Sequence, residues 1–134
     1  MDVQYHNRNG LPTPGTAIDN NPNDSTPNYR IITGETTRPF MYGDYVCKFG
    51  RTTGYTCGIV LSTAHDIGSC CNATWMYVGS DNGIDLSQPG DSGAPWYSGS
   101  IAYGMHFDSA GSGGRDAIFW GIEFLPNDFD VITG

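Results

Sequence analysis

At 134 residues the chain has room for one domain with a single modest core. Six Lys and Arg stand against fourteen Asp and Glu, a formal charge of −8, which argues against a nucleic-acid partner; no apolar run approaches the length of a membrane span, so no membrane partner is expected either. Nineteen glycines, eight prolines and no sustained apolar period of about 3.6 residues exclude long helices and favour short strands joined by turns.

In chain order, Asp2-Val3-Gln4-Tyr5-His6 alternates as a short strand would, and residues 7–28, rich in Asn, Pro, Gly and Thr, read as a long surface linker. From Tyr29 onward β-prone runs recur at 29–33, 45–49, 55–62, 73–78, 94–97, 101–107 and 117–121. Gly, Pro, Asn or Asp separates nearly all of them, the spacing of an antiparallel barrel or sandwich. Apolar residues at 124, 125, 129 and 132 fit a short C-terminal helix with Pro126 in its first turn. Residues 1–20 lack the basic and apolar regions of a signal peptide, yet four cysteines among few charges suit an oxidising, extracytoplasmic setting.

The chain is organised around Gly90-Asp91-Ser92-Gly93-Ala94-Pro95. A serine between two glycines has little steric cover, and the glycines permit a tight turn that aims the Gly90 and Ser92 N–H groups at one point. Two such donors stabilise the oxyanion formed when a hydroxyl attacks an ester or amide. Serine needs a base to become a nucleophile, and Gly-Asp-Ser-Gly alone also makes an ordinary turn.

Three segments read together resemble the second half of a secreted bacterial chymotrypsin-like serine protease of the streptogrisin and α-lytic protease group. They are Val46-Cys47-Lys48-Phe49-Gly50-Arg51-Thr52-Thr53-Gly54-Tyr55-Thr56-Cys57-Gly58, the Gly90 to Pro95 turn, and Tyr103-Gly104-Met105-His106. The resemblance runs from about Tyr29 to the C-terminus. It implies an all-β fold: an antiparallel six-stranded β-barrel, the second barrel of a trypsin-like fold, with a short C-terminal helix. Residues 29–134 would form this barrel, and residues 1–28 a remnant of a first-barrel strand plus linker. Trp96, Tyr103 and Phe119 would pack its interior. Such proteases act on protein or peptide substrates, are secreted, use no cofactor and place their active site between two barrels. Only one complete barrel fits here, so the resemblance implies a missing N-terminal barrel of roughly 100 residues, supplied in cis or in trans.

By the same resemblance Ser92 is the nucleophile and the N–H groups of Gly90 and Ser92 form the oxyanion hole. Asp2 holds the place of the carboxylate that orients the catalytic histidine, with an exposed terminal Asp as the alternative. His6 follows Asp2, whereas the family's histidine precedes its Asp, so His6 is read as strand filler. Ser62-Thr63-Ala64-His65 superficially matches the family's histidine motif, but His65 falls within the second barrel and reads as a polar residue at a hairpin end. Without its base the isolated chain would lose on the order of 10⁶ in turnover, keeping only the roughly 10³–10⁴ over water that an oxyanion hole and binding supply.

The resemblance further implies that Asp91 turns inward and pairs with Lys48, the alternative being a solvent-exposed lysine. By the same resemblance the primary specificity pocket falls to Ser87, His106 and Ser109. Gly-x-His there resembles glutamyl endopeptidases, where the histidine meets a substrate carboxylate; a strand histidine beneath an ordinary small pocket is the alternative. Phe107 and Asp108 stand where the family has Ser and Gly. Cys47 and Cys57 are expected to be bonded, closing a loop of about ten residues for roughly 2–3 kcal/mol. The family's second bridge, across the pocket, has neither cysteine here. Cys70-Cys71 is instead an adjacent pair suited to a vicinal disulfide or a link to another chain. The cysteine and histidine spacing lacks a zinc pattern, and no metal is expected. Asn23-Asp24-Ser25 and Asn72-Ala73-Thr74 match the glycosylation pattern. Two other readings stand beside the protease: a non-catalytic binding or assembly module, and a self-contained esterase using His65, Asp66 and Ser92, disfavoured because adjacent side chains on a strand point apart.

Overall fold

In the computed structural model, residues 17–19, 29–36, 39–68 and 75–124 are described. Nine strands follow in chain order: β1 (Ala17–Asp19), β2 (Tyr29–Ile31), β3 (Gly34–Glu35), β4 (Tyr45–Gly50), β5 (Gly54–His65), β6 (Trp75–Ser80), β7 (Pro95–Ser98), β8 (Ile101–Ala110) and β9 (Asp116–Gly121). Short 3₁₀ turns occupy Ser112–Gly114 and Ile122–Phe124. All seven runs expected from the sequence carry strands. Two strands were not expected: β1, which lies within the segment read as linker and pairs antiparallel with β2, and the two-residue β3. The expected C-terminal helix lies, apart from Phe124, outside the described residues.

Six strands close into an antiparallel barrel. β4 pairs with β5, β5 with β6, β6 with β9, β9 with β8, β8 with β7, and β7 returns to β4. Closure removes the exposed edges that an open sheet of these strands would present. β8 is long enough to serve three neighbours: its first two residues take β3 in parallel, and from Gly104 onward it takes β9. Register shifts interrupt β5 between Val60 and His65 and β8 between His106 and Asp108. An extra residue in one strand bends it and re-aims the side chains beyond. The shift in β8 lies where His106 and Ser109 enter the site described below.

Alternation places Val46, Val60, Met76, Val78, Ala117 and Phe119 in the barrel interior with Phe40, Leu86, Trp96 and Tyr103. Trp96 stacks on Phe119 at 5.2 Å between ring centroids, and Phe40 meets the edges of Tyr103 at 5.2 Å and Phe119 at 5.5 Å. Each large apolar side chain so buried contributes about 1.5–3 kcal/mol. Trp96, Tyr103 and Phe119 fill the core as expected. Phe40, which enters from an irregular segment ahead of β4, gave no periodic signal. A smaller cluster of Ile32, Cys47, Tyr97 and Ala102 packs separately.

Candidate active site

The β4–β5 hairpin and the irregular segment between β6 and β7 meet at Asp91. The hairpin turns sharply between Gly50 and Gly54, and its tip presents three donors to this one carboxylate. Thr52 N–H donates to Oδ1 at 2.7 Å, Thr53 N–H to Oδ1 at 3.1 Å and the Thr53 hydroxyl to Oδ2 at 2.7 Å. Gln88 N–H adds a bond to Oδ2 at 3.1 Å, and Lys48 Nζ reaches the same oxygen at 3.1 Å. Lys48 also donates to the Thr53 hydroxyl at 2.7 Å, so Lys48, Thr53 and Asp91 close a ring of hydrogen bonds. Both charged side chains are fully buried. Burial opposes ionisation of Asp91, but the bonds from the Thr53 hydroxyl and from the Thr52, Thr53 and Gln88 amides prevail and hold its carboxyl well below the usual range. Burial lowers the Lys48 pKa, against the pull of Asp91. The inward turn of Asp91 and its pairing with Lys48 are as the sequence reading expected.

This anchor leaves the next residue pointing out. Asp91 N–H donates to Gln88 O at 3.1 Å, Ala94 N–H to Asp91 O at 3.0 Å and Gly93 N–H to His106 O at 2.9 Å, so the turn is tied on both sides of Ser92. The Thr52 hydroxyl holds Pro89 O at 2.9 Å. Gly90 takes φ 104°, which side chains rarely adopt, and a Cβ there would lie 2.5 Å from the Thr52 hydroxyl oxygen. Ser92 is exposed, and its hydroxyl donates to Phe107 O at 3.4 Å. Among the described residues, no group accepts from the N–H of Gly90 or Ser92.

Beside the turn, Ser87, His106 and Ser109 come together. His106 Nε2 lies 2.7 Å from Ser87 Oγ, which lies 3.0 Å from Ser109 Oγ. Trp96 Nε1–H donates to His106 Nδ1 at 3.4 Å. His106 is 2% exposed, and burial first, then the nearby Lys48 cation, lowers its pKa to about 4 against the opposing pull of Asp91 and Asp108. The imidazole is therefore neutral at pH 7. The segment bearing Ser87 is fixed to the turn after β8: Leu86 N–H donates to Arg115 O at 3.3 Å and Ser87 N–H to Gly114 O at 3.0 Å. Gln88 Nε2 clasps Gly113 O at 2.8 Å and also reaches Asp85 Oδ2 at 3.2 Å. A non-covalent clasp thus joins the segment before the serine turn to the turn after β8.

Cys47 and Cys57 form a disulfide across directly paired positions of β4 and β5, in the hairpin whose tip holds Asp91. His65 ends β5 with its ring 4.8 Å from Tyr77, and Asp66 accepts the Gly68 N–H at 2.8 Å. Neither His65 nor Asp66 bonds to Ser92. Phe107 packs its ring 4.4 Å from that of Trp75 while offering its carbonyl to Ser92. Asp2, His6, Cys70 and Cys71 lie outside the described residues, as do both glycosylation patterns. Three partners of the site went unforeseen: Thr53 as the hub of the Asp91 anchor, Trp96 behind His106, and the Gln88 clasp. Thr52-Thr53-Gly54 was conspicuous within the cysteine loop, whereas nothing in the spacing of Trp96 or Gln88 pointed to a role. Among the described residues, no group of three or more His, Cys, Asp or Glu side chains is placed to hold a metal ion.

No protein-family model matches the sequence, and no curated protein matches it. Solved structures do. The chain is similar to Thermobifida fusca protease A, with 24% identity and a TM-score of 0.69 over 89% of this chain and 61% of that one. It is similar to Cellulomonas bogoriensis chymotrypsin, with 20% identity and a TM-score of 0.69 over 90% and 63%. A glutamic-acid-specific serine protease, described as using a histidine triad in substrate binding, matches with 23% identity and a TM-score of 0.66 over 84% and 56%. The chain therefore spans less than two thirds of the length of each of these structures. Its barrel has the fold of the bacterial chymotrypsin-like serine proteases.

Proposed function

We propose that this chain carries the nucleophile of a serine endopeptidase acting outside the cytoplasm on protein or peptide substrates. Ser92 Oγ attacks the scissile carbonyl as a base takes its proton, and the N–H groups of Gly90 and Ser92 receive the oxyanion. The C–N bond breaks, the amine leaves with the proton, and water hydrolyses the acyl ester to free Ser92. The base lies beyond the described residues, on a missing N-terminal barrel in cis or in trans, and Asp2 orients it. Ser87, His106 and Ser109 receive the side chain on the acyl side of the scissile bond, with acidic residues preferred. The observation that carries this reading is the anchored turn: four hydrogen-bond donors and a buried cation hold Asp91 inward, and Ser92 stands exposed beside two uncommitted amides.

One observation favours a non-catalytic binding module instead: neither described histidine bonds to Ser92, whose hydroxyl rests on Phe107 O. Peptide substrates ending in Glu, Gln or Leu before a chromogenic amide separate the two. The assay uses the protein with any encoded segment preceding Met1. Cleavage after Glu that Ser92→Ala abolishes supports the peptidase, and folded protein without Ser92-dependent cleavage supports the module.

A further inference from the structure

The pocket's polar groups are linked to the barrel core through Trp96, which is fully buried on β7 and stacked on Phe119. We propose that Trp96 is a positioning residue that fixes the tautomer of His106, so that a hydroxyl hydrogen points into the pocket and a carboxylate is favoured over the isosteric carboxamide. This rests on reading Ser87, His106 and Ser109 as the side-chain pocket.

An indole N–H can only donate. Facing His106 Nδ1 at 3.4 Å, it requires a lone pair there. A neutral imidazole with a bare Nδ1 carries its hydrogen on Nε2, and Nε2–H then donates to Ser87 Oγ at 2.7 Å. Ser87 is left to point its own hydrogen at Ser109 Oγ, 3.0 Å away, or into the pocket, and Ser109 in turn directs its hydrogen outward. The relay runs one way, from indole to imidazole to hydroxyls, and ends on hydroxyl hydrogens. A carboxylate, which accepts through either oxygen and with charge assistance, completes it; a carboxamide offers one neutral acceptor oxygen and must place its NH₂ against the same hydroxyls. With the other tautomer, Nε2 would accept from Ser87 and leave the hydroxyls free to receive an NH₂ group. Protonation of His106 would put an N–H on Nδ1, directly against the indole N–H. The charged groups around the ring are Lys48 and Asp91, paired with each other, and Asp108.

Imidazole ¹⁵N NMR of the folded chain tests this without proteolysis, so its outcome is independent of whether Ser92 is reactive. At pH 7 the expected His106 pattern is a protonated Nε2 and a bare Nδ1; a proton on Nδ1 overturns the proposal. Titration with N-acetylglutamate is expected to move the His106 signals at a concentration at least about tenfold lower than N-acetylglutamine. Equal effects, or none from either compound, overturn the selectivity. Trp96→Phe, which keeps an aromatic ring, is expected to give a tautomer mixture and to erase the difference between the two compounds. An unchanged spectrum and preference in that variant overturn the role of Trp96. Should that variant fail to fold, the wild-type spectrum still decides, since a protonated Nδ1 is incompatible with the indole bond.

Discussion

Lys48 Nζ lies 3.1 Å from Asp91 Oδ2 with both side chains fully buried, one residue before the exposed Ser92. Removing two charges from water costs about as much as their attraction returns, so the pair alone does not account for the stability of the turn. The additional bonds from Thr52, Thr53 and Gln88 tip the balance. The bonds from Thr52 and Thr53 tie the hairpin tip to the serine turn across 39 and 38 residues of sequence.

Lys48→Met leaves Asp91 as a buried, unpaired charge and is expected to lower stability by about 3–5 kcal/mol, read by chemical denaturation at pH 7. Asp91 also sets a pH dependence. Its carboxyl is depressed in the folded state, so its contribution is complete above the ordinary carboxylate value of about 4 and declines as the pH falls below that. Asp91→Asn should flatten the stability profile in this acid window; an unchanged slope would show that other carboxylates dominate it.

Gly50 packs against the same pair. A Cβ at this position would fall on Asp91 Oδ1 and lie 2.8 Å from Lys48 Nζ. Gly50→Ala is expected to cost about 1–3 kcal/mol, as overpacked cores do, and to reduce the reactivity of Ser92. Wild-type stability in this variant would mean that the ion pair tolerates displacement.

His106 supplies a second pH window. Its folded pKa of about 4 lies below the ordinary value of about 6.5, so its contribution is complete above 6.5 and is lost as the pH falls from there toward 4. The loss amounts to about 3 kcal/mol and should disappear in His106→Gln. Titration of the His106 ring near 6.5 in the folded protein would contradict its burial.

Gln88 holds the two walls of the proposed pocket together through Gly113 O, and its side-chain hydrogen bonds go to Gly113 and Asp85 rather than to Ser92, Ser87 or His106. Gln88→Ala is expected to raise KM for a Glu substrate several-fold with little change in kcat, and to shift stability by about 1 kcal/mol or less. A fall in kcat at constant KM would place the effect at the serine turn instead.

The short antiparallel strands were legible because Gly, Pro, Asn and Asp punctuate β-prone runs at nearly every boundary; their closure as a barrel, rather than a sandwich, came from the family resemblance. β3 was not legible, since two residues carry no alternation and its parallel pairing is set by β8. β5 runs on past the expected end at Ser62 to His65, beyond a register shift that breaks its alternation. In the site, the family resemblance carried by the cysteine loop and the serine turn implied the Lys48–Asp91 pair, and the two cysteines flanking that loop implied the disulfide. The Trp96–His106 bond and the Gln88 clasp depend on ring orientation and on the shift in β8, which no local pattern encodes.

The most direct test of the account is mass-spectrometric mapping after exposure to an organophosphonate, on this chain and on the protein with any encoded segment preceding Met1. The account predicts a covalent adduct on Ser92 in the longer form, absent or very slow in the chain alone, and unaffected by His65→Ala. Folded longer protein that gains no adduct at Ser92 would contradict it.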